Sequence, residues 1–193
     1  ADLARDVGIA PNTAKRWVSA LVASQQVFLL EPYHRQRAKR LIKAPKLYFA
    51  DTGLATFLMG FRRQSDMAGH PRWGAIWENF VVAEVRKRLL AARQPPDLWF
   101  WRTARGDEVD LLVETGPDRF FAVESKSAEH VHAPAAKGLG SFSAEYGPDA
   151  IVAARIACRT ALAYPVVPEL AVRAVPLAGP DGLLAELHRS IAD

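Results

Sequence analysis

Residues 98–126, LWFWRTARGDEVDLLVETGPDRFFAVESK, carry three apolar runs: Leu98 to Arg102, Glu108 to Glu114 and Arg119 to Lys126. Polar residues separate the first two, and Gly116-Pro117-Asp118 forms a tight turn between the last two. Runs of this length bounded by turn residues predict three strands in a meander. Side chains alternate along a strand, so Glu124 and Lys126 share one face while Phe121, Val123 and Ser125 share the other. A three-residue loop at 116–118 sets Asp110 opposite Glu124 on the same face, whereas a four-residue loop separates them. Loop register, or a bulge in its place, therefore decides whether the acids meet.

Upstream of the meander, Ile76, Trp77, Phe80, Val81, Val82, Val85 and Leu89 recur at helical spacing. They predict a long helix from about Gly74 to Ala92, packed on the sheet, with Arg86, Lys87 and Arg88 near its cation-tolerant end. Downstream, a helix is expected from Pro134 to Tyr146, a strand from Ala150 to Ala153, a late strand from Leu170 to Val175 and a terminal helix from Gly182 to Ile191. Residues 61–71 are polar and lack sustained periodicity. They suggest residues 1–60 as a first domain, 61–73 as a linker and 74–193 as a second domain.

In the first domain, Leu3 to Ile9 and the run opened by Pro11 read as two helices around a glycine turn, a helix-turn-helix pattern. Ala14, Trp17, Val18, Leu21 and Val22 form one apolar stripe on the second helix, with Asn12, Thr13, Lys15, Arg16 and Ser19 facing out. Those types suit a DNA groove, because Asn pairs with adenine while Lys and Arg read guanine or grip phosphate. Val27 to Tyr33 and Leu41 to Phe49 read as the two strands of a wing. Its loop carries Arg35, Arg37, Lys39 and Arg40, within reach of a neighbouring phosphate. Residues 1–50 hold nine Lys and Arg against three Asp and Glu, so this end is the expected polyanion contact. A solvated basic surface, or a winged helix that only connects proteins, is the alternative.

Composition excludes several classes. The chain has 193 residues and is 50% apolar, enough for a packed core. No apolar run approaches the ~20 residues of a membrane helix, and no leader opens the chain, so a cytoplasmic protein is expected. The single cysteine, Cys158, forms no internal disulfide and no zinc site. His34, His70, His130, His132 and His188 show no triad or metal spacing. No G-x-x-x-x-G-K-[ST] occurs, so no nucleotide site is expected on this fragment. Asp2-Leu3-Ala4-Arg5 already reads as helix interior, and the chain is expected to be the C-terminal part of a larger prokaryotic protein.

The string Lys43-Ala44-Pro45-Lys46-Leu47-Tyr48-Phe49-Ala50-Asp51-Thr52-Gly53-Leu54 resembles the K-x-P-K-x-Y-F-x-D-T-G-L signature of a widespread prokaryotic family. In that family an AAA+ ATPase module precedes a winged helix and a C-terminal domain of unknown function with a nuclease-like fold. Trp77-Glu78-Asn79, the string Arg102 to Asp110, and Glu124-x-Lys126 match the same pattern in order, while residues after Tyr146 match loosely. Ser125 stands where an aliphatic residue is more usual. The resemblance implies an α/β (α+β) protein: a winged helix-turn-helix followed by a PD-(D/E)XK restriction-endonuclease-like domain, its mixed sheet flanked by helices. Glu78, Asp110, Glu124 and Lys126 are then the catalytic set. Asp110, Glu124 and the Ser125 carbonyl would hold Mg²⁺ or Mn²⁺, Lys126 would orient water or stabilise charge, and Glu78 would be an outer ligand or proton acceptor. Arg102 would hold a phosphate. Expected partners are DNA and an upstream AAA+ ATPase module, with no membrane and with oligomerisation left open. The competing expectation is a noncatalytic DNA- or protein-binding appendage in which Lys126 merely pairs with Glu124 or Asp110.

Overall fold

The computed structural model describes residues 2–34, 44–67 and 69–192. Two short helices, α1 (Asp2–Val7) and α2 (Pro11–Ala23), lead into β1 (Val27–Pro32), β2 (Lys46–Phe49) and α3 (Thr52–Leu58). The long α4 (Trp73–Ala91) precedes the meander β3 (Leu98–Arg102), β4 (Glu108–Gly116) and β5 (Arg119–Ser125). Then follow α5 (Lys137–Tyr146), β6 (Ile151–Ala157), β7 (Tyr164–Val167), β8 (Val172–Val175) and α6 (Leu183–Ala192). All eight strands form one mixed sheet in the order β2-β1-β3-β4-β5-β6-β8-β7.

Two apolar layers cover the sheet. On one face Val81, Val82, Val85 and Leu89 of α4 and Leu183 and Leu187 of α6 bury Leu111, Val113, Phe121 and Val123. On the other, Leu139 and Phe142 of α5 bury Val109, Leu112, Phe120 and Ala122. The continuous apolar runs of β4 and β5 follow from this double coverage, since neither face meets water. α5 sits directly on the start of β4: a Cβ at Gly138 would lie 1.7 Å from the Glu108 carbonyl oxygen.

Most expected elements are present, with boundaries shifted by a few residues. The Pro134 helix opens as a 3₁₀ turn over Ala133–Ala136 before α5, and the short strand from Ala150 extends to Ala157. β7, with Pro165 inside it, is an edge strand that the sequence reading did not anticipate. Proline is tolerated there because an edge strand needs no inward N–H at that position.

The expected division at 61–73 does not divide the sheet. β1 runs parallel to β3, with Glu31 beside Trp99 and Pro32 beside Phe100, so the N-terminal hairpin extends the sheet. Asn79 of α4 reinforces this. Its side chain accepts from the Phe49 N–H at 2.8 Å and donates to the Phe49 carbonyl at 3.1 Å and to Thr52 Oγ1 at 2.9 Å. The apolar stripe of α2 also differs from expectation. Ala14 is buried, but Trp17, Leu21 and Val22 are exposed, because among the described residues α2 packs mainly on α1 and β1.

Candidate functional site

Two irregularities in β4 build the site. At the hairpin, Gly116 pairs with Arg119, leaving a two-residue turn at Pro117-Asp118. A bulge between Glu114 and Gly116 restores the register of a three-residue loop, and Leu111 pairs with Val123. On the other edge of β4, Trp99 pairs with Leu112 but Trp101 with Val109, so Asp110 and Leu111 together oppose Phe100. A bulge of this kind re-aims a side chain. It lets Asp110 join Leu111 on the α4 side of the sheet, and there Asp110 Oδ1 lies 3.7 Å from Lys46 Nζ.

Ser125 continues the alternation of Phe121 and Val123. Its backbone N–H and its hydroxyl donate to Asp110 Oδ2 at 2.8 and 3.2 Å. Glu124 and Lys126, two apart, meet each other, with Lys126 Nζ 2.5 Å from Glu124 Oε1. The other Glu124 oxygen, Oε2, is buried with no hydrogen-bond partner among the described residues. Leaving such an acceptor unpaired is costly, and a proton, a water molecule or a cation would satisfy it.

Glu78 comes from α4, inside three consecutive residues that each fasten the helix. Trp77 Nε1 donates to the Ala157 carbonyl at 3.1 Å and Asn79 holds Phe49, while Glu78 Oε1 accepts from Lys46 at 2.7 Å and from the Tyr48 hydroxyl at 2.5 Å. Lys46 also pairs with Glu108, and its ammonium lies 5.4 Å from the centre of the Phe100 ring. Arg102 Nε lies 3.5 Å from Glu108 Oε2. Side-chain exposure rises from 10% at Glu124 and 11% at Asp110 to 39% at Lys126 and 51% at Arg102, so the cluster opens toward the two outer cations.

The electrostatics follow from burying acids together. Burial raises the Asp110 carboxyl above the usual range and the Glu78 charge adds to this, against the pull of Lys46. Burial and then the Asp110 charge push Glu124 up to about 7. Burial alone would lower both lysines, but the surrounding carboxylates outweigh it and raise them: Glu78 and Asp110 first for Lys46, Glu124 first for Lys126. Both lysines therefore stay protonated near neutrality while the acids hold protons unusually well. The site is short of positive charge.

Among the described residues no group of three or more His, Cys, Asp and Glu side chains is placed to hold a metal ion. Mg²⁺ commonly takes one or two carboxylates and completes its octahedron with water. Asp110 and Glu124, the latter with one buried oxygen unpartnered among the described residues, are the two acids from which such a pair would be drawn.

Of the remaining expected residues, Asn12, Lys15 and Arg16 on α2 are exposed and Thr13 is half-buried, far along the chain from the acids. Arg35, Arg37, Lys39 and Arg40 lie outside the described residues. Sequence reasoning missed Lys46, Tyr48 and Glu108. Lys46 and Tyr48 stand two apart on one strand and so share a face, but that spacing does not report which acids the face meets.

Comparison with known proteins divides the chain near the polar segment. Residues 1–65 match a family described as a domain of unknown function, DUF8612. Two curated relatives, uncharacterized protein Mb2031c of Mycobacterium bovis and uncharacterized protein Rv2008c of Mycobacterium tuberculosis, are each 38% identical over 114 residues. That stretch is 59% of this chain but 25% of each relative, so the match spans about a quarter of their length. No solved structure matches the chain. Residues 73–178, more than half of the chain and the part that carries α4, the meander and the acidic cluster, match the family described as domain of unknown function DUF4143, and the chain belongs to that family.

Proposed function

We propose that this chain is a DNA-associated module, a winged helix joined to a PD-(D/E)XK-like domain, that cleaves phosphodiester bonds with Mg²⁺ or Mn²⁺. The observation that carries the reading is the buried, unpartnered Glu124 Oε2 in the acid and lysine cluster formed by Asp110, Glu124 and Lys126. Asp110 and Glu124 would hold the ion, with the Ser125 carbonyl as a further oxygen. A bound ion would supply Lewis acidity, lowering the pKa of a nearby water and neutralising charge on the phosphate. Ser125 aims the Asp110 carboxylate through two hydrogen bonds. Lys126, protonated and the most exposed of this trio, faces charge that builds on the phosphate oxygens. Arg102, half exposed at the mouth, grips a flanking phosphate. Glu78, already bonded by Lys46 and Tyr48, orients those groups.

Exposed Asn12, Lys15 and Arg16 on α2 support DNA contact by the N-terminal helices. The matched stretch is a quarter of each mycobacterial relative, which leaves room in the full-length protein for the AAA+ module that the sequence strings suggest. The test is plasmid cleavage with Mg²⁺ or Mn²⁺ by the wild type, Asp110→Ala and Lys126→Ala. Cleavage by the wild type alone supports the proposal, and cleavage that survives both substitutions is contamination and ends it.

A noncatalytic binding module is the second reading, favoured by one observation: Lys126 already pairs with Glu124. It prevails if neither metal yields cleavage while a gel shift weakens steeply with salt and with Lys15→Glu or Arg16→Glu.

A further inference from the structure

Lys46 stands where acids of three elements converge. Its ammonium contacts Glu78 of α4 at 2.7 Å, Glu108 at the start of β4, and Asp110 at 3.7 Å, and it lies near the Phe100 ring. Lys126 contacts Glu124 alone among the acids paired at bonding distance. Four carboxylates, Glu78, Glu108, Asp110 and Glu124, thus surround two ammonium groups, with the half-exposed Arg102 on the solvent side. Counting Arg102, which meets Glu108 at 3.5 Å, three cations face four carboxylates, so the cluster is short of positive charge. The acceptor that a divalent cation would satisfy is Glu124 Oε2, buried and unpartnered among the described residues.

The other acids are different. Glu78 and Glu108 both pair with Lys46, and Glu108 also meets Arg102; as they stand they form no metal-holding group with Asp110. Phosphodiester-cleaving sites with two ions hold the second one about 3.5–4 Å from the first, bridged and flanked by acids of this kind. An ammonium has fixed unit charge and three donors, and it does not exchange with solvent as a metal ion does. Lys46 is delivered by β2, within residues 1–65, whereas the acids lie within residues 73–178, so the two family regions complete one charge cluster.

We infer that Lys46 is a resident cation standing in place of a second divalent ion, so that the site binds one such ion and no more. The inference rests on reading Asp110 and Glu124 as an ion site. Removing the ammonium leaves Glu78, Glu108 and Asp110 free to close on a metal, which needs oxygens at ~2.0–2.2 Å rather than the looser spacing around Lys46.

Mn²⁺ titrated into the full chain, with bound equivalents counted by electron paramagnetic resonance and calorimetry, tests this. The expected result is one equivalent for the wild type and two for Lys46→Met. One equivalent in both, with affinity changed less than twofold, overturns the inference and leaves the single-ion reading intact. None in the wild type but one in Lys46→Met overturns the inference and removes the ion from the wild-type mechanism. None in either overturns both. Should Lys46→Met not fold, the double variant Lys46→Gln with Glu108→Gln removes one cation and one acid together and so leaves the charge balance of the cluster unchanged. It is expected to bind one equivalent like the wild type, and two or none in it overturns the inference.

Discussion

Two buried charge clusters stand among the described residues, and they differ in how completely their charges are met. In the first, Glu186 of α6 is flanked by Arg155 of β6 and by Arg173 of β8 at 3.5 Å, so two guanidinium groups serve one carboxylate. Arg155 also donates to the Ala154 carbonyl at 2.8 Å. In the second, four acids share two lysines and Arg102, and one acid oxygen is left without a partner among the described residues. Satisfied buried charges fasten elements together, whereas an unsatisfied buried acid is costly and calls for a proton, a water molecule or an ion to complete it. The first cluster anchors α6 to the sheet, and the second is the candidate site.

Four outcomes would break or sharpen that contrast. The largest is Glu186→Ala, which leaves the mostly buried Arg155 guanidinium without its carboxylate and should cost about 3–5 kcal/mol, read by urea denaturation. A loss under ~1 kcal/mol would make this cluster as dispensable to folding as a surface pair. Next, Asp110→Asn should lower Mg²⁺-dependent cleavage about a hundredfold or more, ~3 kcal/mol of transition-state stabilisation, while the melting temperature holds or rises. A matching drop in melting temperature would assign Asp110 to the structural class instead.

Third comes pH. The folded protein keeps the Glu124 proton up to about pH 7, against an ordinary value of 4.5. The stability contributed by the protonated form is therefore complete below pH 4.5 and lost as pH rises through 7. In EDTA the wild type should lose on the order of 3 kcal/mol relative to Glu124→Gln across that window. Saturating Mg²⁺ should flatten the difference, and parallel curves for the two proteins in EDTA would refute it. Smallest is Tyr48→Phe, which removes one bond to Glu78. It should cost about 1–2 kcal/mol in denaturation and reduce cleavage only a few-fold. A loss as large as that of Asp110→Asn would place Tyr48 among the groups that touch substrate.

Much of the fold was legible. The meander, α4 and α5 follow from periodicity, which is local and survives in a single chain. β7 was hidden by Pro165, whose cost disappears at a sheet edge, a position that only the sheet order assigns. The exposed Trp17, Leu21 and Val22 show the opposite case, an amphipathic pattern plainly written but left without cover by the described residues. At the site, Asp110, Glu124, Lys126 and Glu78 were readable from spacing and resemblance. Lys46 and Glu108 were not, because their pairing joins β2 to the start of β4, and no local pattern reports a contact across 62 positions.

By itself the amino-acid sequence determined the types and order of the elements and the alternation that brings Glu124 to Lys126. Those properties depend on neighbours a few residues apart. The tertiary structure decided the rest: the bulge that turns Asp110 toward α4, the joining of the N-terminal hairpin to β3, and the insertion of Lys46 among three acids. Each of these depends on how sheet register and helix packing close at long range, where a shift of one residue sends a side chain to the other face.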